Sequence, residues 1–148
     1  MKFIIVILLL SSCSNCSYEE NYGIDYYTKY KEGQEIALEL TFDYINAEYI
    51  TNIDPKVDLY WVNTTCSYDN VDNRTAIVYE DKCYVGLTFS CNYIYLADRG
   101  QISYSALAHE LLHCAHIEIY KDGDGEHSHT SWWANEGIID QMYVEAGL

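Results

Sequence analysis

Residues 109–116 read HELLHCAH, and the step from His109 to His113 constrains this chain more than any other feature. On an α-helix, positions four apart lie one turn apart on one face, so both imidazoles can turn a nitrogen toward one ion. Glu110 is rotated by about 100° from His109, toward the rim, where a carboxylate can hold a water without ligating the ion. This is the H-E-x-x-H spacing, which supplies two ligands and a base. A catalytic zinc needs three protein ligands, so one more must come from elsewhere. His116 cannot be it. It lies on the right face but about 10.5 Å further along the axis, beyond the reach of zinc–nitrogen bonds of about 2.0–2.1 Å.

The surroundings of the motif read as an α+β chain with its strands grouped on one sheet. Residues 34–50 place Leu38, Phe42, Ile45 and Tyr49 at helical spacing. Residues 57–62, 75–79, 84–89 and 92–96 read as short strands, and the Asn/Asp-rich run 67–73 as a turn. A helix follows from Ser103, with Leu107, Leu111, Cys114 and Ile117 toward the core. After the polar loop 121–129 (KDGDGEHSH), residues 131–146 read as one closing helix.

The start of the chain reads as an export signal. Phe3 to Leu10 are apolar without interruption, too short a run to span a bilayer. Leu10-Ser11-Ser12-Cys13 resembles a bacterial lipobox, which implies a signal peptide over 1–12, lipidation at Cys13, a tether over 13–22 and a domain over 23–148. The expected location is a bacterial membrane, facing the periplasm or exterior, with the anchor as membrane contact; an ordinary secretory signal is the alternative. Lys2 is the only charge before Cys13, so the mature chain carries 7 basic and 23 acidic residues (8 − 1 and 23), a formal charge of −16. That field disfavours nucleic acid and anionic lipid as partners. Export permits disulfides. A bridge among Cys66, Cys83 and Cys91 is expected, with Cys16 in the tether and Cys114 a small buried residue on the motif helix.

The third ligand lies downstream, where His127, His129 and Glu136 are candidates. H-E-x-x-H followed by Asp122, Asp124, His127 and Ser128 resembles SprT-like metallopeptidases and small bacterial lipoproteins of similar pattern, which favours His127. Residues 132–140 (WWANEGIID) resemble the second motif of gluzincins, which would make Glu136 the ligand and Asp140 a support for His109. His129 is a further alternative. Metzincins are excluded, because His116 and Ile119 occupy the positions of their glycine and last histidine. A solvated acidic loop is the better reading of 122–126 than an EF-hand, since His127 and Trp133 stand where its glycine and glutamate belong.

These resemblances cover residues 106–140 and imply a zincin: a small mixed sheet packed on an N-terminal helix, the motif helix and a C-terminal helix. They imply one zinc ion and a peptide or protein substrate, held in extended form along an edge strand, here expected at Asn92–Leu96. Zinc would acidify a water and polarise a carbonyl, and Glu110 would take the proton as general base. Tyr120 or Tyr143, less directly Tyr104, are candidate donors to the oxyanion. The competing expectation is a non-catalytic zinc-binding lipoprotein, a scavenger or an interaction protein using the same histidines.

Overall fold

The computed structural model describes residues 22–54, 56–66 and 74–148. The expected leader, Cys13, Cys16, the tether as far as residue 21 and the 67–73 turn lie outside the described residues. Helix α1 runs from Gln34 to Tyr49, buries Phe42 and Ile45 together with Ala37 and Thr41, and packs Leu38 and Tyr49 at the margin. It starts at Gly33, where φ is 86° and a Cβ would overlap the Tyr104 hydroxyl, so only glycine fits.

Seven strands are described: β1 (Leu59–Val62), β2 (Thr65–Cys66), β3 (Arg74–Thr75), β4 (Ile77–Tyr79), β5 (Lys82–Tyr84), β6 (Gly86–Ser90) and β7 (Tyr93–Ala97). They form three sheets rather than the one expected: β1-β7-β6, β2-β3 and β4-β5. Local backbone explains the division. Glu80 and Asp81 both take positive φ, 47° and 59°, and close a two-residue hairpin between β4 and β5. Val85 then separates β5 from β6, splitting the run expected as one strand.

The main sheet is mixed, β1 parallel and β6 antiparallel to β7. The strand expected at the edge is therefore central, and β6 is the edge beside the motif helix. Ile94, Tyr95, Leu96 and Ala97 are buried, which suits a strand covered on both faces. Strand alternation sends Leu59, Trp61, Ile94 and Leu96 to the helices, and Tyr60, Val62 and Tyr95 to a second cluster with Ile24 and Ile77.

Helix α2 (Tyr104–Tyr120) carries the motif and buries Leu107, Leu111, Leu112 and Cys114 against the sheet and α1. The closing helix is broken, as α3 (Thr130–Trp133) and α4 (Asn135–Glu145). The Asn135 amide donates to the Trp132 carbonyl at 2.8 Å, competing for an acceptor that a continuous helix would use. Its amide also donates to the Tyr49 hydroxyl, and its oxygen accepts from the Tyr44 hydroxyl, tying α4 to α1.

Among the described residues two disulfides are present. Cys66–Cys83 falls within the expected set. Cys91–Cys114 does not: Cys114 is buried as expected, but it is bonded, because α2 lies with its Cα 4.8 Å from that of Cys91 at the β6–β7 turn. The bridge fastens the motif helix to the sheet, and both disulfides suit an oxidising compartment. Among the described residues no helix is long and apolar enough to cross a membrane.

Candidate metal centre

His109 and His113 sit one turn apart on α2, and the 121–129 loop brings His127 over them. The Nε2 atoms of His109 and His113 are 3.2 Å apart, as are those of His113 and His127. The potential ligand atoms of the three all lie within 4.8 Å of one another, and the group can hold a metal ion. Tetrahedral ligands at about 2.0–2.1 Å from zinc stand about 3.3–3.4 Å apart, close to the spacing found.

The other ring nitrogens show why this cluster wants a cation. His113 Nδ1 donates to the Gly123 carbonyl at 2.6 Å, and His109 Nδ1 faces Glu136 Oε2 at 3.3 Å. Both acceptors favour the Nδ1–H tautomer, the form that leaves Nε2 available to ligate an ion. Burial also pushes the His113 pKa down to about 4, with the Gly123 carbonyl opposing, so the ring is neutral at pH 7.

Asp124 shapes the loop. Its carboxylate accepts from the Ser128 N–H and hydroxyl, the His129 N–H at 2.8 Å and the Trp133 indole N–H at 2.7 Å. These bonds, the Ser128 hydroxyl first, hold its carboxyl well below the usual range. His127 follows with φ 53° and its N–H on the Asp124 carbonyl, a left-handed turn that swings the ring back toward α2. Trp133 closes that side, 5.1 Å from the His109 ring and 4.3 Å from His127 between ring centres.

Glu110 lies on the other side, beneath β6. Its Oε2 accepts from the Thr88 hydroxyl at 2.7 Å, and the residue is 5 % exposed. A Cβ on Gly86 would stand 2.5 Å from Glu110 Cγ and Oε1, so the edge strand admits the carboxyl only because residue 86 is glycine. Burial raises the Glu110 pKa to about 7, with the Thr88 hydrogen bond opposing. Glu110, His109 and Glu136 line one open cleft of about 440 Å³ with Val85, Gly86 and Arg99.

The remaining candidates fall elsewhere. Glu136 meets the outer nitrogen of His109, the support role expected of Asp140, while Asp140 bonds Ser105. His116 and His129 pair with each other at 3.2 Å, among Tyr120 and Trp132 and apart from the triad. Tyr143 is buried, its hydroxyl bonded to Thr41 and the Ala37 carbonyl; the Tyr104 hydroxyl donates to the Glu32 carbonyl. None of these tyrosines lines the cleft; Tyr120, partly exposed, packs on His116 and His129 instead. Thr88, Gly86 and Gly123 were not foreseen. Only Gly86 had a signal, a glycine inside a strand pattern, which marks close approach of another group.

Comparison with family models, curated protein sequences and solved structures gave no match.

Proposed function

We propose that this protein is a zinc-dependent metallopeptidase of zincin type, exported and anchored at a bacterial membrane through Cys13. The observation that carries the reading is the set of facing Nε2 atoms of His109, His113 and His127, two of them fixed as lone pairs by outward Nδ1 hydrogen bonds. Three imidazole ligands suit zinc and leave a fourth position open. When bound, zinc supplies Lewis acidity toward a carbonyl oxygen and acidifies water. Glu110 is the general base: it takes a proton from the attacking water and returns it to the leaving nitrogen. Thr88 holds that carboxylate in place, and Glu136 and Gly123 hold the ligand rings. The antiparallel edge strand β6 lies over α2, where an extended peptide can add to it.

The test is metal removal and return. Chelated protein should cleave nothing in a broad peptide library, and stoichiometric zinc should restore cleavage. Zinc-loaded protein that cleaves no peptide would instead support the non-catalytic zinc-binding reading.

A further inference from the structure

Among the described residues, Arg99 is the only lysine or arginine lining the cleft that holds Glu110. A lone cation is conspicuous in a chain with 8 basic and 23 acidic residues. The turn that carries it is fixed. The Asp98 carboxylate accepts from the buried Lys31 ammonium and from the Gly100 N–H at 2.8 Å. Arg99 Nε donates to the Thr75 carbonyl at 3.2 Å, which orients the guanidinium. Its terminal nitrogens have no ion-pair partner among the described residues. The first turn of α2, which carries no side-chain cap, also lines the cleft. Both features favour a negative charge there.

Strand direction says which charge a peptide would bring. Among the described residues β6 pairs only with β7, so its outer edge is open. A peptide added antiparallel runs from the Ser90 end toward Gly86, passes Glu110 beside Gly86 and Thr88, and continues to Val85 and Arg99. Its C-terminal end arrives at the guanidinium. A parallel peptide would bring its ammonium there, against like charge.

We infer that Arg99 receives the C-terminal carboxylate of the substrate, so that the protein removes short segments from peptide C-termini. This rests on the peptidase reading above. Hydrolysis adds water across the C–N bond: the hydroxyl joins the carbonyl carbon, and the proton, carried by Glu110, goes to the leaving nitrogen. Arg99 takes no part in that step; it sets where along the chain the bond is presented.

The test compares zinc-loaded protein on acetylated peptides with a free C-terminal carboxylate, on the same peptides as C-terminal amides, and on amides with a terminal glutamate. Free acids should be cleaved with about tenfold higher kcat/KM, mostly through KM. Arg99→Gln should bring the acid-to-amide ratio toward one, and Arg99→Lys should keep part of it. Because this is a ratio, a general loss of folding does not imitate it. Binding provides a second readout: zinc-loaded Glu110→Gln, titrated with the acid and amide forms, should show the same preference. Equal cleavage of acids and amides by the unmodified protein overturns the inference and leaves the peptidase reading standing. Glutamate amides cleaved as fast as free acids overturn it too, assigning Arg99 to a side-chain carboxylate. A binding preference with no cleavage of any peptide keeps the carboxylate site and overturns the peptidase reading. Neither cleavage nor preference overturns both.

Discussion

In the metal-free protein, Glu110 should make folding stability fall as pH rises from about 4.5 to about 7. Burial under β6 raises its pKa from 4.5 to about 7, and the Thr88 hydroxyl offsets only part of that. Between those values the folded chain holds a proton that the unfolded chain has released, so raising the pH favours unfolding. The gap, 7 minus 4.5, corresponds to about 3 kcal/mol. This stabilisation is complete below the unfolded pKa and lost once pH passes the folded one. Glu110→Gln keeps the shape and an acceptor for Thr88 but cannot ionise. Urea denaturation in the presence of chelator, followed by tryptophan fluorescence, measures both proteins between pH 4.5 and 8. All other titrating groups are shared and cancel in the difference. The variant should gain on the unmodified protein by about 3 kcal/mol across that range. Parallel profiles would refute the reasoning, because they would mean that the carboxylate is solvated rather than buried. Chelator matters, since a dication in the triad would itself favour the ionised carboxylate.

The same geometry sets the response of the zinc ligands, the edge strand and the disulfide to substitution. Glu136→Gln, which removes the charged partner of His109 Nδ1, should weaken zinc binding by roughly 10–100-fold in competition with a chromophoric chelator. His127→Ala should lose more than that, and His129→Ala, whose ring pairs with His116, should stay close to the unmodified protein. Gly86→Ala drives a methyl into Glu110 and should cost about 1–3 kcal/mol in chemical denaturation, with peptide cleavage reduced more than zinc content. Replacing Cys91 and Cys114 by alanine opens a loop with a sequence separation of 23 and should cost about 3 kcal/mol, measured against the unmodified protein under oxidising conditions.

Much of the frame is legible because it is local. The apolar spacing of Phe42 and Ile45 defines α1, and the spacing of His109 and His113 needs only helical geometry. The burial of Leu107 and Leu111 follows from the same helical periodicity. What periodicity cannot read is partner choice. Tyr93–Ala97 looks equally strand-like at an edge or in the centre, and only its pairing with both β1 and β6 decides. Cys91 meets Cys114 because α2 crosses beneath the β6–β7 turn, a contact across 23 positions that spacing does not encode. Asn135 looks like ordinary helix until its amide is seen on the Trp132 carbonyl. In the site, His127 and Glu136 were both credible ligands. Their sorting depends on loop closure around Asp124, which turns His127 inward and leaves Glu136 on the outer nitrogen of His109.

The central claim is that His109, His113 and His127 hold a catalytic zinc while Glu110 moves the proton. One preparation of Glu110→Gln, assayed for both zinc content and peptide cleavage, tests it most directly. The account predicts one zinc per chain, as in the unmodified protein, with cleavage reduced by about 10²-fold or more. Full cleavage by the zinc-loaded variant would contradict it.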